Sequence, residues 1–160
     1  MDVKPATAPG WHMEDERGRM EKKRILIVED NLPNVMTLCQ ALLHPMAGGY
    51  EVEVCPLADV ALKRLRYEEF DLIITDLRMP GTSGLDLIRH IHQTNPHTRT
   101  MLITAFGSPE IEAEAQRLGA AFLAKPFSLQ EFITTVQGIL AQETQTEEGA
   151  AMEEELEVAC

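Results

Sequence analysis

The sequence predicts an α/β fold, a (βα)5 doubly wound parallel sheet with helices on both faces. Short apolar runs typical of strands alternate five times with segments whose apolar residues recur at helical spacing. The connections between these segments are short, which favours right-handed crossovers between parallel strands. One run alternates apolar and polar residues, as in a half-exposed edge strand, whereas others are largely apolar, as in strands covered on both faces.

The five strands are predicted over residues 25–28, 50–54, 71–75, 99–103 and 121–124. The second is the alternating run and is expected at an edge of the sheet. The first, third and fourth are expected inside it. This placement is consistent with the flavodoxin-like strand order 2-1-3-4-5.

A helix is predicted after each strand, with apolar residues three or four positions apart on one face. The first helix is expected to end before Pro45 and the Gly48-Gly49 pair. Gly119 is expected to end the fourth helix, and Ser128 to cap the last. The apolar faces, in chain order, are Val35, Leu38, Cys39 and Leu42; Ala58, Ala61, Leu62 and Leu65; Leu85, Ile88 and Ile91; Ile111, Ala115 and Leu118; and Leu129, Phe132, Ile133, Val136 and Leu140.

This pattern covers residues 23–141 and predicts one domain of ordinary size. Residues 1–22 mix Pro, Gly and charges of both signs without periodicity, and they are expected to form a flexible leader. Residues 142–160 contain seven glutamates and no Lys or Arg, which predicts an acidic, disordered tail.

The composition excludes several classes of function. The formal net charge is −12 and there is no basic patch, so direct binding of DNA, RNA or an anionic membrane surface is not expected. No segment approaches the roughly 18 apolar residues of a membrane span, and the N-terminus lacks a signal-peptide core. The three cysteines have no CxxC spacing, which favours a reducing compartment. The expected location is therefore the cytoplasm.

Polar side chains follow four of the predicted strands, at the point where each strand ends. They are Glu29 and Asp30, Asp76, Thr104, and Lys125. The carboxyl ends of parallel strands meet at one edge of the sheet, where the sites of such folds are built. Carboxylates, a hydroxyl and an ammonium gathered there predict a site for a divalent metal ion and a phosphoryl group. Mg²⁺ would offset the repulsion between the adjacent carboxylates.

Each of these residues also has an ordinary structural interpretation. Asp30 or Asn31 could simply cap the first helix, and Asp76 could be a turn residue. In the site interpretation, the Asp76 carboxylate is a nucleophile toward phosphorus, and Asp30, Asp76 and one backbone carbonyl are metal ligands. Lys125 has little packing reason to follow an apolar run, and its ammonium would pair first with Asp76 and then with a phosphate oxygen. The bond between Lys125 and Pro126 is a candidate cis peptide.

Four motifs together carry a resemblance to a known family. They are Val28-Glu29-Asp30-Asn31; Thr75-Asp76-Leu77-Arg78-Met79-Pro80-Gly81, with Gly84 after it; Ile103-Thr104-Ala105; and Gly119-Ala120 leading to Lys125-Pro126-Phe127. Over residues 23–141, the chain resembles the receiver domain of two-component response regulators, the CheY-like family.

The resemblance implies that Asp76 accepts a phosphoryl group. The donor would be a sensor histidine kinase or phosphotransfer protein, or a small molecule such as acetyl phosphate. The resemblance also implies Mg²⁺ or Mn²⁺ as cofactor, held by Glu29, Asp30, Asp76 and the backbone carbonyl of Arg78.

The resemblance further implies a switch. Lys125 and Thr104 would contact the phosphoryl group, and Ala105 would add its backbone N–H. The Thr104 hydroxyl would move toward the phosphate and the Phe122 ring would turn inward, which reshapes the face of the fourth helix, fifth strand and fifth helix. A downstream protein would bind that face, and the chain would be a monomer or a phosphorylation-dependent dimer.

The expected role is a signalling switch that catalyses only its own phosphoryl transfer and autodephosphorylation. One alternative is a receiver fragment of a larger multidomain regulator or hybrid kinase. Another is an aspartyl-phosphate phosphatase, which usually needs a second acid two residues after the nucleophile, where this chain has Arg78. A third is a receiver-shaped binding module that no longer takes phosphate, and the intact set of site residues argues against it.

Overall fold

The computed structural model describes residues 22–141, so the predicted acidic tail and the predicted leader, apart from Lys22, lie outside the described residues. Five strands form one sheet in which every pairing is parallel. They are β1 (Arg24–Val28), β2 (Glu51–Cys55), β3 (Leu72–Asp76), β4 (Arg99–Thr104) and β5 (Ala121–Ala124). Their order is β2-β1-β3-β4-β5, which confirms the predicted order.

Each strand is followed by an α-helix, as the alternating pattern predicted. The helices are α1 (Leu32–Leu43), α2 (Ala58–Arg64), α3 (Gly84–Thr94), α4 (Pro109–Arg117) and α5 (residues 129–141). A short 3-10 turn, Pro45–Ala47, follows α1. None of the helices between residues 22 and 141 is long and apolar enough to cross a membrane.

The predicted end of α4 and start of α5 are confirmed. Gly119 follows α4 with a φ of 74°, a backbone conformation that glycine adopts readily. Ser128 accepts a hydrogen bond from the N–H of Glu131 at 3.1 Å, and the Glu131 carboxylate accepts one from the N–H of Ser128 at 2.8 Å. This reciprocal pair is a capping box, which satisfies two backbone donors at the start of α5.

The predicted bounds of the second and third strands were each wrong by one residue. The third strand was expected over residues 71–75 and covers Leu72–Asp76. β2 was expected over residues 50–54 and instead covers Glu51–Cys55. The N–H of Glu51 donates to the carbonyl of Lys23 at 2.9 Å, and Glu51 pairs in register with Arg24. Tyr50 precedes the ladder and packs, partly buried, against the core. β2 nevertheless lies at the edge of the sheet, as expected.

Successive residues of β1 point to opposite faces of the sheet, and a hydrophobic core forms on each face. Ile25 and Ile27 pack with residues of α1 and α5, whereas Leu26 and Val28 pack with residues of α2 and α3. A smaller cluster joins α3, α4 and the side chain of Leu102 in β4. With both faces covered, the carboxyl edge of the sheet is left as the place where polar side chains of neighbouring strands can meet.

Candidate functional site

The carboxyl ends of β1, β3 and β5 bring an ammonium group against two carboxylates. Lys125 Nζ lies 2.7 Å from Oδ2 of Asp76 and 3.6 Å from Oε2 of Glu29. The side chains of Glu29 and Asp76 are only 6% and 13% exposed. Because water screens them little, these groups interact more strongly than charges on an open surface would.

Asp76, the last residue of β3, is held by its own loop and by the start of α3. Its Oδ1 accepts a hydrogen bond from the N–H of Arg78 at 3.2 Å. The N–H of Gly84 donates to the carbonyl of Leu77 at 3.0 Å, which closes the loop. A Cβ at Gly84 would lie 1.9 Å from the backbone oxygen of Asp76, so only glycine lets α3 begin this close to the strand end.

Glu29 is the most buried acid of the site, and burial raises the pKa of its carboxyl. The nearby Asp76 and Asp30 also raise this pKa, whereas the N–H of Asn31, 3.0 Å from Oε1, and the Lys125 ammonium lower it. The protein alone therefore compensates the ionised Glu29 only in part. A cation beside Glu29 would supply the missing compensation.

The alternative that Asp30 caps α1 is excluded by the structure. Asn31 is the cap, and its side chain accepts the N–H of Asn34 at 3.2 Å. Asp30 is exposed next to the buried Glu29, at the same sheet edge. Its carboxylate is therefore not used to start the helix.

The predicted metal ligands do not form a compact cage of side chains. Between residues 22 and 141, no group of three or more His, Cys, Asp or Glu residues is arranged to hold a metal ion. Mg²⁺ needs no such cage, because it commonly takes one or two carboxylates and completes its octahedron with water. The residues present fit Mg²⁺, because Glu29 and Asp76 supply the hard oxygen donors that it prefers. Their two carboxylates face one ammonium, so an added cation would offset the remaining negative charge. The ligand assignment, including Asp30 and the Arg78 carbonyl, stays a prediction.

The predicted switch residues lie on β4 and β5. Thr104 is fully buried, and its hydroxyl accepts the N–H of Phe106 at 3.0 Å, while Ala105 is exposed. The Phe122 ring is partly buried and lies over Gly107, where a Cβ would be 2.6 Å from Cζ of the ring. In this structure the Thr104 hydroxyl is thus engaged with the loop after β4.

Two further features border the site. The peptide bond between Lys125 and Pro126 is cis, which confirms that expectation. The Arg78 guanidinium stacks on the Phe106 ring, 3.9 Å from its centroid, and so joins the loop after β3 to the loop after β4. Sequence reasoning missed this contact. The only signal was an arginine two residues after Asp76 and an aromatic residue two residues after Thr104.

Known proteins share both this sequence pattern and this fold. The chain matches the family model of the response regulator receiver domain over residues 25–137. It is 37% identical over 114 residues to the response regulator protein FleR of Pseudomonas aeruginosa, covering 71% of this chain and 24% of FleR. It is 33% identical over 131 residues to the transcriptional regulatory protein ZraR of Salmonella typhimurium, covering 81% of this chain and 28% of ZraR.

A solved structure gives the same result. The response regulator receiver domain protein (CheY-like) from Methanospirillum hungatei JF-1 superposes with a TM-score of 0.72 and 27% identity, over 79% of this chain and 99% of that chain. The chain spans about a quarter of the length of FleR and ZraR. Mg²⁺ and a phosphorylated aspartate are typical of receiver domains, which are signalling switches. The chain therefore belongs to the CheY-like family of response regulator receiver domains of two-component signal transduction.

Proposed function

We propose that this chain is a receiver switched by phosphorylation of Asp76 in a Mg²⁺-dependent reaction. The observation that carries the proposal is the contact of Lys125 Nζ with Asp76 Oδ2 at 2.7 Å, with Glu29 at 3.6 Å from the same ammonium. Three strand ends thus bring the carboxylates of Asp76 and Glu29 to one ammonium, as this role requires. The donor is a phosphohistidine of a sensor kinase or phosphotransfer protein, or a small molecule such as acetyl phosphate.

In the proposed step, a carboxylate oxygen of Asp76 attacks phosphorus while the bond from phosphorus to the donor breaks. With phosphohistidine this is the N–P bond, and with acetyl phosphate it is the O–P bond to the acetyl group. The Lys125 ammonium, which contacts Asp76, would pair with a phosphoryl oxygen, and the N–H of Ala105 would add a donor. Mg²⁺, when held by Glu29, Asp30, Asp76 and the Arg78 carbonyl, supplies positive charge to the transferring phosphoryl oxygens.

Phosphorylation then changes the conformation of the face formed by α4, β5 and α5, which is the proposed output surface. The Thr104 hydroxyl gives up its contact with the Phe106 N–H when it moves to the phosphoryl group, and the Phe122 ring, now over Gly107, turns inward. The new charge thus selects between two packings of this face, which a downstream protein reads. A dimer through this face would form only after phosphorylation.

Intact-protein mass spectrometry tests the chemistry. After incubation with acetyl phosphate and Mg²⁺, we expect one added phosphoryl group, and none when EDTA replaces Mg²⁺. Asp76→Asn should take none, whereas Asp86→Asn, which changes an exposed aspartate of α3, should be labelled like the wild type. An unmodified wild-type chain, both with acetyl phosphate and with a phosphorylated histidine kinase as donor, would contradict the proposal.

The proposed domain bounds have their own test. If residues 23–141 form the whole receiver, a chain that lacks residues 142–160 should be labelled by acetyl phosphate at the wild-type rate. A clear change in that rate would give the acidic segment a regulatory role.

A second candidate keeps this chemistry but places the receiver in a larger regulator. The curated relatives FleR and ZraR extend far beyond the matched segment, which favours this reading. The sequence of the complete reading frame distinguishes the two candidates.

A further inference from the structure

A hydrogen bond joins the first turn of α2 to the loop that follows Asp76. This loop, residues 77–83, connects β3 to α3. The hydroxyl of Thr82 donates to Oδ1 of Asp59 at 2.6 Å. A Cβ at Gly81 would lie 3.1 Å from Oδ2 of Asp59, so the second carboxylate oxygen also lies beside the loop. The whole Asp59 carboxylate is therefore turned toward the segment that leads away from Asp76.

An acid in the first turn of a helix also has an ordinary role. Its charge favours the positive end of the helix dipole, and any acid in that turn would serve. That role requires no partner outside the helix. Asp59 nevertheless accepts a hydrogen bond from Thr82, which is 23 positions away in the chain. The contact between the two segments therefore needs a separate explanation.

The start of α2 is a firm anchor for the loop. Ala58 and Ala61, which flank Asp59 in α2, are fully buried in the core shared by the sheet, α2 and α3. Met79 of the loop packs, partly buried, against the same core. Within the described part of the chain, the bond from Thr82 to Asp59 is the only hydrogen bond that ties the loop to an element other than β3 and α3. One apolar contact and one hydrogen bond thus hold the loop on α2 and its core.

The loop carries an atom that the proposed function needs. The Arg78 carbonyl, a proposed ligand of Mg²⁺, belongs to the peptide that joins Arg78 to Met79, and its direction changes if that peptide rotates. A ligand that is correctly placed for only a fraction of the time lowers the apparent affinity for the ion by that fraction. A contact that restricts the loop can therefore strengthen Mg²⁺ binding without touching the ion.

We propose that Asp59 is a positioning residue, which holds the loop through Thr82 and so keeps the Arg78 carbonyl in place for Mg²⁺. This role rests on the proposed function, which takes that carbonyl as a ligand. It requires a hydrogen-bond acceptor at position 59, rather than a charge, and a hydroxyl at position 82. Asp59→Asn and Thr82→Ser keep these groups, whereas Asp59→Ala and Thr82→Val each remove one.

Thermal melts of the full chain at a series of Mg²⁺ concentrations test the role, because the gain in Tm with Mg²⁺ gives the Kd of each variant. Asp59→Ala and Thr82→Val should each raise this Kd about three- to tenfold, whereas Asp59→Asn and Thr82→Ser should stay within about twofold of the wild type. Thr94→Val is the matched control and should also stay within about twofold. It removes an exposed hydroxyl at the far end of α3, where Thr94 donates to the carbonyl of His90 at 2.8 Å.

The rate of labelling by acetyl phosphate gives a second measurement, which separates positioning from chemistry. In Asp59→Ala and Thr82→Val, the Mg²⁺ concentration that gives half the maximal rate should rise by the same factor as the Kd. The rate at saturating Mg²⁺ should equal that of the wild type, because neither side chain contacts Asp76 or the phosphoryl group. A purely structural contact would instead lower the Tm in EDTA and leave the dependence on Mg²⁺ unchanged.

Two outcomes would overturn the positioning role and leave the proposed function intact. The first is a wild-type Kd for Mg²⁺ in both Asp59→Ala and Thr82→Val. The second is an equal rise in Asp59→Asn and Asp59→Ala with no change in Thr82→Val, since the charge of Asp59 would then act on the ion directly. A wild type that neither gains Tm with Mg²⁺ nor takes a phosphoryl group would contradict the proposed function itself, and the positioning role with it.

Discussion

Charged side chains gather at both edges of the sheet, but the two groups are balanced differently. At the amino edge, the guanidinium groups of Arg24 and Arg64 each contact both Glu53 and Glu68, at distances between 2.5 and 3.0 Å. Both guanidinium groups also lie over the ring of the buried Phe70, at 4.5 and 5.2 Å. Two cations and two anions thus alternate in a closed ring, which we call the amino-edge ring.

At the carboxyl edge, one ammonium faces more than one carboxylate. Lys125 contacts both Asp76 and Glu29, and Asp30 lies beside Glu29. The pKa of Glu29 is raised, chiefly by burial, whereas hydrogen bonds from the arginines of the amino-edge ring lower the pKa of Glu53. The pKa values of Glu29 and Glu53 are therefore shifted in opposite directions.

This difference distinguishes the amino-edge ring, which is a structural cluster, from the carboxyl edge, which is the proposed site. In the amino-edge ring each carboxylate is paired with two guanidinium groups, so the ring stabilises the native state without an added cation. A surplus of negative charge costs stability and is kept where binding a cation or a phosphoryl group offsets it. The predictions that follow change one edge at a time.

The largest effect is expected from Gly84→Ala, which breaks the packing under the carboxyl edge. The new Cβ would lie 1.9 Å from the backbone oxygen of Asp76, so either the strand end or α3 must move. We expect a loss of more than about 3 kcal/mol of unfolding free energy, or no folded protein. Urea denaturation measures this loss.

Gly138→Ala is the matched control for that change. Gly138 lies inside α5, and a Cβ there meets no atom within 4 Å. Alanine should therefore raise the unfolding free energy by roughly 0.5–1 kcal/mol, because it is a better helix former. Equal effects at Gly84 and Gly138 would show that the close approach at Asp76 is unimportant.

Mg²⁺ should stabilise the chain through the carboxyl edge alone. When free Mg²⁺ is about ten times its Kd, the expected gain in unfolding free energy is about 1.4 kcal/mol, because only the native state holds the ion. Asp30→Asn should reduce this gain, whereas Glu53→Gln in the amino-edge ring should leave it unchanged. Thermal melts with and without Mg²⁺ measure the gain, and a wild type indifferent to Mg²⁺ would argue against the predicted ligands.

Removing one negative charge should have opposite effects at the two edges in the absence of metal. Asp76→Asn relieves repulsion with Glu29 and should leave stability unchanged or raise it by up to about 1 kcal/mol. Glu53→Gln opens the amino-edge ring and should lower stability by about 0.5–1 kcal/mol, since the ring is partly exposed. Urea denaturation in EDTA compares the two variants, and a loss of stability of equal size in both would remove the distinction drawn between the edges.

The sequence predicted the sheet well because its signals are local. An apolar run such as residues 72–75 specifies a buried strand wherever it is read, and the polar residue that follows then lies at the sheet edge. Lys125 was the clearest site residue for the same reason, since nothing in its neighbours explains it. The bounds of β2 were less certain, because Tyr50 is also apolar and only the pairing of Glu51 with Arg24 fixes the start.

Individual side-chain contacts could not be predicted in this way. The choice between Asp30 and Asn31 as helix cap depends on which side chain reaches the N–H of Asn34. The stack of Arg78 on Phe106 depends on how two loops lie side by side. The helical pattern assigned Cys39 to the core face, and the structure shows that it packs against that core while remaining partly exposed. Each of these contacts depends on the three-dimensional arrangement of side chains, which a pattern along the chain does not specify.

The smallest expected effect is a difference between Glu68 and Glu29 in how their contributions to stability depend on pH. Hydrogen bonds from Arg64 and Arg24 lower the pKa of Glu68 to about 2, so its contribution to stability is present above its ordinary value of 4.5 and is lost as the pH falls toward 2. The raised pKa of Glu29 has the opposite sign, because its contribution is present below 4.5 and is lost as the pH rises through the raised value.

The contrast can be measured as Tm against pH in EDTA at low salt, where exposed charges are least screened. Between pH 5 and pH 3 the wild type should lose more Tm than Glu68→Gln, because the variant has no carboxylate left to protonate in the amino-edge ring. As the pH rises from 4.5 toward neutrality, Glu29→Gln should lose less Tm than the wild type, because the glutamine cannot ionise at this buried position. If the Tm of the wild type and of Glu68→Gln falls equally between pH 5 and pH 3, the hydrogen bonds of the amino-edge ring to Glu68 do not stabilise the native state. Parallel curves near neutrality would mean that Lys125 already compensates Glu29 in full, and the carboxyl edge would then carry no surplus charge for a metal ion to offset.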